Sequence, residues 1–159
     1  MRPPTKPATR ADPLPVALSG LFAAAFVAAT VLPFQSELIF AGLQIAAAAP
    51  VWLLILVAAT GNTLGTFVNY WLGWRLETAG AHRWLKVPDS QFARARAWWE
   101  RWGIWTLLLS WLPVLDLTTV MAGAMRTPLW QFTLLVALAK TGRYIALAAI
   151  TAGIFGASS

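Results

Sequence analysis

The chain has 159 residues, of which 58% are hydrophobic and 11% charged, and its formal net charge is +6. A soluble domain carries about 25% charged residues, so this composition indicates an all-α integral membrane protein rather than a soluble bundle. The absence of cysteine excludes a disulfide framework, thiol catalysis and cysteine-based metal sites. The basic residues cluster in the polar segments, which is typical of a membrane topology signal and not of a nucleic-acid surface.

The chain begins with a polar, proline-rich stretch that contains Arg2, Lys6 and Arg10. This composition predicts a disordered basic tail over residues 1–13, followed by a single membrane domain over residues 14–156. Residues 14–32 are apolar for long enough to span a bilayer. A cleaved signal peptide is the competing interpretation, but its apolar core is usually about 7 to 15 residues long, which favours a retained span.

Residues 33–49 are apolar but interrupted by Pro33, Glu37 and Gly42. A broken helix of this length does not reach across a ~30 Å hydrocarbon core at about 1.5 Å per residue. The segment therefore predicts a re-entrant helical hairpin that enters and leaves on one side. Pro33 and Gly42 are its expected breaks, and Glu37 becomes an acid inside the membrane.

Residues 51–74 form the second predicted span. Four residues at helical spacing give this span one polar face: Asn62, Thr66, Asn69 and Gly73. Gly61 and Gly65 form a GxxxG pattern, which predicts close packing against another helix.

Residues 75–102 are the only sizeable hydrophilic segment. They predict a cytoplasmic loop followed by an interfacial amphipathic helix whose N-cap lies at Asp89 and Ser90. The tryptophans of this helix are expected at headgroup depth: Trp98, Trp99, Trp102 and Trp105.

Residues 103–127 repeat the features of the first hairpin, with Pro113, Asp116 and Gly123 in place of Pro33, Glu37 and Gly42. They predict a second re-entrant hairpin with breaks at Pro113 and Gly123. Residues 129–155 form the third predicted span.

The two halves of the chain have the same order, a hairpin followed by a span. Pro50 and Pro128, which open the second and third spans, are 78 residues apart. With the tail and the central loop in the cytoplasm, the first span runs outward and the second returns, so the hairpins enter from opposite sides. This layout is an inverted repeat, in which transporters place a substrate near the midplane. Coincidental proline placement is the alternative.

Four charged residues fall within the predicted membrane core: Glu37, Asp116, Lys140 and Arg143. Lys140 lies about 15 Å along the last helix from Trp130, and Arg143 and Tyr144 follow on nearly the same face. In one interpretation these charges are purely structural salt bridges. In the other they line a polar cavity, where Lys140 and Arg143 attract a phosphate and the acids take up protons.

Several short motifs in a fixed order resemble the DedA superfamily, also called the VTT or SNARE-associated domain group, and its small YqaA branch. They are Pro33 with Ser36-Glu37, Gly61-Asn62 through Asn69 and Gly73, Ser110 through Pro113 and Ala122-Gly123, and Phe132 with Lys140 and Arg143-Tyr144. The resemblance implies two opposed re-entrant hairpins and lipid movement across a bilayer. It also implies a functional acid at Glu37 and hairpin roles for Pro113 and Asp116. Many members carry arginines around the second hairpin's proline, where this chain has Ser110 and Asp116.

Together these features predict a bacterial inner-membrane lipid translocase or scramblase for an anionic lipid, a polyprenyl phosphate or a phospholipid, with possible coupling to protons. The substrate or proton site is expected at Glu37, Asp116, Lys140, Arg143, Asn62, Asn69 and Tyr144. The alternatives are a non-transporting membrane scaffold and a proton-coupled transporter of a small solute.

Neither a cofactor nor a metal is expected, nor is enzymatic activity, because the sole histidine, His82, has no catalytic or metal-spaced partner. Membrane lipids are the expected partners, and no binding of nucleic acid is expected. A homodimer is a further candidate, because three spans shield few charges.

Overall fold

The computed structural model describes residues 13–30, 35–80, 89–111 and 117–156, and the predicted basic tail falls almost wholly outside them. Within these ranges the chain forms helices and turns without a β-strand, which confirms the predicted all-α class. We label the helices α1 (Pro13–Thr30), α2 (Gln35–Ile45), α3 (Val51–Thr78), α4 (Asp89–Trp98), α5 (Leu117–Ala124) and α6 (Leu129–Gly156). Residues 99–111, here called the α4 extension, continue α4 through a π-helical turn, one α-helical turn and 3₁₀ turns.

Three of these helices are long and apolar enough to cross a membrane: Pro13–Thr30, Val51–Thr78 and Leu129–Phe155. They confirm the three long apolar segments predicted at 14–32, 51–74 and 129–155. Proline precedes α3 and α6, at Pro50 and Pro128, where its missing N–H costs nothing because the first turn has no intrahelical acceptor. We name the two ends of the bundle after these residues, the Pro50 end and the Pro128 end.

The two short helices end in the same kind of turn. Ala48 N–H donates to the Leu43 carbonyl after α2, and Thr127 N–H donates to the Ala122 carbonyl after α5. Both are six-to-one bonds of the Schellman type, and each turn contains a residue with positive φ, Ala47 at 48° and Arg126 at 56°. Each half of the chain therefore joins a short helix to a long one through a tight, hydrogen-bonded reversal.

Helices α1 and α3 run in the same direction. Phe22 and Phe26 of α1 approach Gly61 and Gly65 of α3 in that order, and the Ala29 carbonyl accepts a hydrogen bond further along α3. The predicted topology, in which the first span runs outward and the second returns, makes these helices antiparallel and is wrong. The GxxxG pattern explains the close contact of the two helices, because its two glycines admit the α1 backbone directly.

Helix α6 runs antiparallel to α3. The Asn62 amide lies 3.4 Å from the Tyr144 hydroxyl, whereas Glu77, near the end of α3, binds Arg126 just before α6. The start of α1 thus lies at the Pro50 end, and the loop after α3 begins at the Pro128 end, about 42 Å away along α3. The expectation that the N-terminal tail and the central loop are both cytoplasmic is therefore incompatible with a membrane-crossing α3.

The segment predicted as the first hairpin, residues 33–49, is a single helix from residue 35 to 45. Helix α2 runs parallel to α6, since Ser36 meets Tyr144 and Gln44 meets Ala148, and hence antiparallel to α1 and α3. The helix that precedes α2 and lies antiparallel to it is therefore α1. Gly42 is not a break as predicted, because it lies within α2, where the helical hydrogen bonds continue.

Helices α3 and α5 cross at two glycines. A Cβ at Gly73 would overlap the Val120 carbonyl oxygen, and a Cβ at Gly123 would overlap the Tyr70 carbonyl oxygen. The prediction that Gly123 breaks the second hairpin is also wrong, because Gly123 is helical and permits this backbone contact.

The predicted interfacial helix runs on into the second hairpin segment, because helical geometry continues from Asp89 to Trp111. Trp98, Trp102 and Trp105 are exposed along one face of this helix, as expected of residues in contact with lipid headgroups. Trp99 differs from the prediction, because it is buried and its indole N–H donates to Thr127 Oγ1 at 2.9 Å. This bond fixes the start of the α4 extension near the start of α6.

Candidate functional site

Glu37 and Arg143 form an ion pair halfway along the bundle. Glu37 lies in the first turn of α2, and Arg143 lies at the middle of the 28-residue α6. The two side chains are only 25% and 12% exposed. The pair therefore places a carboxylate and a guanidinium together at the depth where a spanning α6 crosses the membrane centre.

Side chains from three helices form a hydrogen-bonded chain beside this ion pair. The Tyr144 hydroxyl donates to Ser36 Oγ at 3.2 Å, and Asn62 Nδ2 donates to the Tyr144 oxygen at 3.4 Å. All three residues are buried, and the Phe40 ring packs on Tyr144 with centroids 5.4 Å apart. Polar groups from α2, α3 and α6 thus converge on one hydroxyl.

Asn69 contacts the helices next to the two Leu-Pro segments, which are the segments that contain Leu32-Pro33 and Leu112-Pro113. Its side-chain amide donates to the Ala29 carbonyl at 2.9 Å and to Thr119 Oγ1 at 3.2 Å. Ala29 precedes residues 31–34, and Thr119 follows residues 112–116. The structure therefore brings the described ends of both hairpin segments to the same residue of α3.

Lys140 is completely buried, one helical turn before Arg143 and Tyr144. The last turns of the α4 extension pack along α6 in this region, with Leu107 in the same apolar cluster as Phe132 and Val136. A buried ammonium is costly unless compensated by other polar groups, and the complete burial of Lys140 places it inside the bundle rather than on a lipid-facing surface.

Three buried side-chain oxygens have no hydrogen-bond partner among the described residues. They are Gln44 Oε1, Asn62 Oδ1 and Ser110 Oγ. Of these, Asn62 Oδ1 belongs to the hydrogen-bonded group around Tyr144, where it can accept from a water molecule or from a donor on a ligand.

An apolar groove of about 530 Å³ runs along the outside of the bundle between α3 and α6. Its wall includes Thr63 and Thr141, the neighbours in sequence of Asn62 and Lys140, and the small residues Ala59 and Ala137. The groove therefore lies on faces of α3 and α6 adjacent to those that carry Asn62 and Lys140.

The structure groups five of the seven predicted site residues directly, because Glu37 pairs with Arg143, Tyr144 contacts Asn62, and Lys140 lies on the adjacent turn. Asn69 lies about two turns from Asn62 on the same face of α3. Asp116, Pro33 and Pro113 fall outside the described residues. Within those residues, no group of three or more histidine or acidic side chains could hold a metal ion.

Sequence reasoning did not assign three polar residues a place in the site: the buried Ser36 and Thr119 and the partly buried Gln44. Ser36 and Gln44 are eight residues apart in α2 and both face α6, a spacing that indicates one polar edge on an otherwise apolar helix. Thr119 carries no comparable signal, because threonine is common in apolar helices.

A family comparison identifies the chain, since residues 32–153 match the model of the VTT domain. The chain belongs to the VTT domain family, that is, to the DedA superfamily. This VTT protein is 36% identical over 137 residues to the inner membrane protein YqaA of Escherichia coli, an alignment covering 86% of this chain and 92% of that relative. The YqaA protein of Shigella flexneri matches to the same extent.

An uncharacterised protein of Haemophilus influenzae is also 36% identical to this VTT protein, over 140 residues that cover 80% of this chain and 82% of the relative. No solved structure matches the chain. The family membership confirms the resemblance seen in the sequence, and none of the relatives' names describes a reaction or a substrate.

Proposed function

We propose that this VTT protein is an inner-membrane translocase or scramblase for an anionic lipid with a phosphate group, such as a polyprenyl phosphate or a phospholipid. The observation that carries the proposal is the fully buried Lys140 one turn from the Glu37–Arg143 ion pair. Charged groups at the middle of an apolar bundle are expensive and typically mark a transport path. A phosphate fits this pair of bases, because a guanidinium binds its oxygens bidentately and an ammonium attracts it as a point charge.

In this proposal, α1 and α2 form one re-entrant hairpin, and the α4 extension and α5 form the other, inserted from the opposite side. The lengths of the returning helices support it, since α2 rises about 16 Å and α5 about 12 Å, each well short of a ~30 Å core. The matching Schellman turns and the shared contact at Asn69 support it further. Inverted repeats of this kind position a substrate between hairpins near the midplane.

The ion pair supplies the switching element of the proposed mechanism. A lipid phosphate that enters the site competes with Glu37 for the Arg143 guanidinium, and a proton taken up by Glu37 frees the guanidinium for the phosphate. The acyl chains stay in the apolar groove between α3 and α6 while the headgroup passes inside. The basic central loop is cytoplasmic in this arrangement, and the N-terminal tail lies on the other side.

Lipid flipping in proteoliposomes tests the proposal. Wild type should move a headgroup-labelled anionic lipid between leaflets. Lys140→Ala should lower the rate about tenfold, the effect of one lost charge-assisted contact. Glu37→Gln should lower it to a similar extent, because no carboxylate remains to displace the phosphate from Arg143. Glu77→Gln is the matched control, because Glu77 also pairs with an arginine, Arg126, but outside the central site. This control should retain the wild-type rate.

The scaffold alternative is favoured by one specific observation, that Glu37 and Arg143 already neutralise each other. A scaffold with structural ion pairs would move no lipid in any variant, and Glu37→Gln would lower only its stability. A transporter of a small solute would likewise move no lipid but would take up a labelled solute in a manner sensitive to Glu37→Gln. Comparison of the same variants in both assays therefore separates the three functions.

A further inference from the structure

A second polar cavity lies at the Pro128 end, distant from the central site along α6. It encloses about 330 Å³, at the lower end of the range of about 300–1,000 Å³ found for small-ligand sites. Its wall is formed by α4 and its extension on one side and by the α5-to-α6 turn on the other. The charged and polar side chains in this wall are those of Arg96, Glu100, Arg126, Thr127 and Gln131.

Each guanidinium of the cavity is held by a carboxylate. Arg126 lies 2.8 Å from Glu77, and Arg96 lies 3.4 Å from Glu100. A guanidinium has five N–H donors, so both arginines retain donors for an additional acceptor. Two cationic groups and one carboxylate thus line the cavity itself, an arrangement complementary to a ligand that carries both signs of charge.

The cavity wall is rigidly built around Thr127. The Trp99 indole N–H donates to its hydroxyl at 2.9 Å, and the Tyr70 hydroxyl donates to its carbonyl at 2.7 Å. Trp99 and Thr127 are both buried, whereas Ile104 and Met125 add apolar surface beside them. The site therefore exists before a ligand binds and combines a charged rim with an apolar wall.

The surrounding surface indicates the source of the ligand. Four exposed tryptophans flank the cavity in sequence: Trp98, Trp102, Trp105 and Trp130. Tryptophan is enriched at the level of lipid headgroups, where its ring contacts acyl chains and its N–H contacts polar groups. A cavity at this level meets lipid headgroups before it meets soluble ions.

We propose that this cavity binds the headgroup of a resident phosphoethanolamine lipid, with the phosphate on Arg96 and Arg126 and the ammonium on Glu100. The site shares no residue with the central site, and the bound lipid is a structural companion of the hairpin base rather than the transported molecule. Binding is therefore independent of transport and should persist in Glu37→Gln.

Binding is tested with delipidated protein in detergent, by following thermal unfolding as lipid is added. The lipids share one set of acyl chains and carry phosphoethanolamine, phosphoglycerol or phosphocholine, and soluble O-phosphoethanolamine and inorganic phosphate are added in separate arms. Wild type should bind the phosphoethanolamine lipid about tenfold more tightly than the phosphoglycerol lipid, the value of one charge-assisted hydrogen bond.

Three variants assign the contacts. Arg96→Gln should weaken binding of the phosphoethanolamine and phosphoglycerol lipids about tenfold each. Glu100→Gln should abolish only the preference for the phosphoethanolamine lipid over the phosphoglycerol lipid. Arg94→Gln is the matched control, because Arg94 is exposed on the same helix but does not line the cavity, and it should bind as wild type does. Equal binding by Arg96→Gln and Arg94→Gln, equal affinity of wild type for all three lipids, or full stabilisation by inorganic phosphate alone would each overturn the proposal.

Discussion

Asn69 connects three segments through a single amide group. Its two N–H groups reach the last turn of α1 and the first turn of α5, both of which lead to the Leu-Pro segments of the chain. The sequence predicted a polar face containing Asn62 and Asn69, and both residues are buried on it. The partners could not be predicted, because the periodicity of one helix does not specify which neighbours it meets.

Replacement of Asn69 by alanine should destabilise the protein. The change removes two hydrogen bonds and leaves the buried Ala29 carbonyl without this donor, which we expect to lower the free energy of unfolding by about 1–2 kcal/mol. Unfolding in mixed detergent micelles with increasing dodecyl sulfate measures it. Thr60→Val is the control, because the Thr60 hydroxyl bonds only to its own helix at Leu56 and should change stability little. Equal stability of the two variants would show that the Asn69 contacts contribute nothing.

Replacement of Ala47 by glycine should stabilise the protein. Its φ of 48° is in the left-handed region, where a Cβ costs roughly 1 kcal/mol and glycine is the preferred residue. Ala47→Gly should therefore raise the free energy of unfolding by about 0.5–1 kcal/mol in the same detergent assay. Ala46→Gly, at the neighbouring residue without positive φ, should be neutral or destabilising. A loss of stability in Ala47→Gly would contradict the turn geometry.

At the scale of helices, two pairs of glycines determine which elements cross. Gly61 and Gly65 admit α1 to the surface of α3, as the GxxxG pattern predicted, and Gly73 and Gly123 admit α3 and α5 to each other. The second crossing was not predicted, since it joins glycines 50 residues apart that belong to no common motif. The sequence predicts Gly123 as a hairpin break, because glycine in an apolar run indicates close packing and chain reversal equally well.

The α3–α5 crossing should be intolerant of a methyl group. Gly73→Ala and Gly123→Ala each place a Cβ against a carbonyl oxygen of the facing helix, which forces the helices apart at a cost of about 1–3 kcal/mol. Gly42→Ala is the matched control, because nothing lies near a Cβ at that position of α2, and alanine there should stabilise the helix by up to about 1 kcal/mol. Opposite signs of the stability change are expected, and destabilisation of all three variants alike would argue against a specific crossing.

At the scale of the whole molecule, hydropathy predicted three long helices and left their directions open. The positive charges in the tail and the central loop predict that α1 and α3 are antiparallel. The structure instead aligns Phe22 and Phe26 with Gly61 and Gly65 in the same order. Charge counting could not detect this, because it was combined with a complete membrane crossing by residues 14–32. The pairing of Glu37 with Arg143 agrees with the argument that charges within a membrane must meet one another.

The parallel arrangement of α1 and α3 predicts which positions are accessible from the same side of the membrane. The chain contains no cysteine, so single cysteines can be introduced without a background signal. Val16→Cys and Ala46→Cys, both at the Pro50 end, should react with a membrane-impermeant maleimide from one side of the membrane. Ala79→Cys, at the Pro128 end beyond α3, should react from the other. Intact cells and inverted vesicles provide the two orientations, and detergent-solubilised protein shows that each cysteine can react.

If Val16→Cys and Ala79→Cys react from the same side while Ala46→Cys reacts from the other, α1 crosses the membrane antiparallel to α3 and the hairpin formed by α1 and α2 does not exist. If Val16→Cys and Ala46→Cys are both labelled from one side and Ala79→Cys from the other, the chain must enter and leave the membrane on the first side before α3 crosses. This follows because α3 is the only helix between residues 46 and 79.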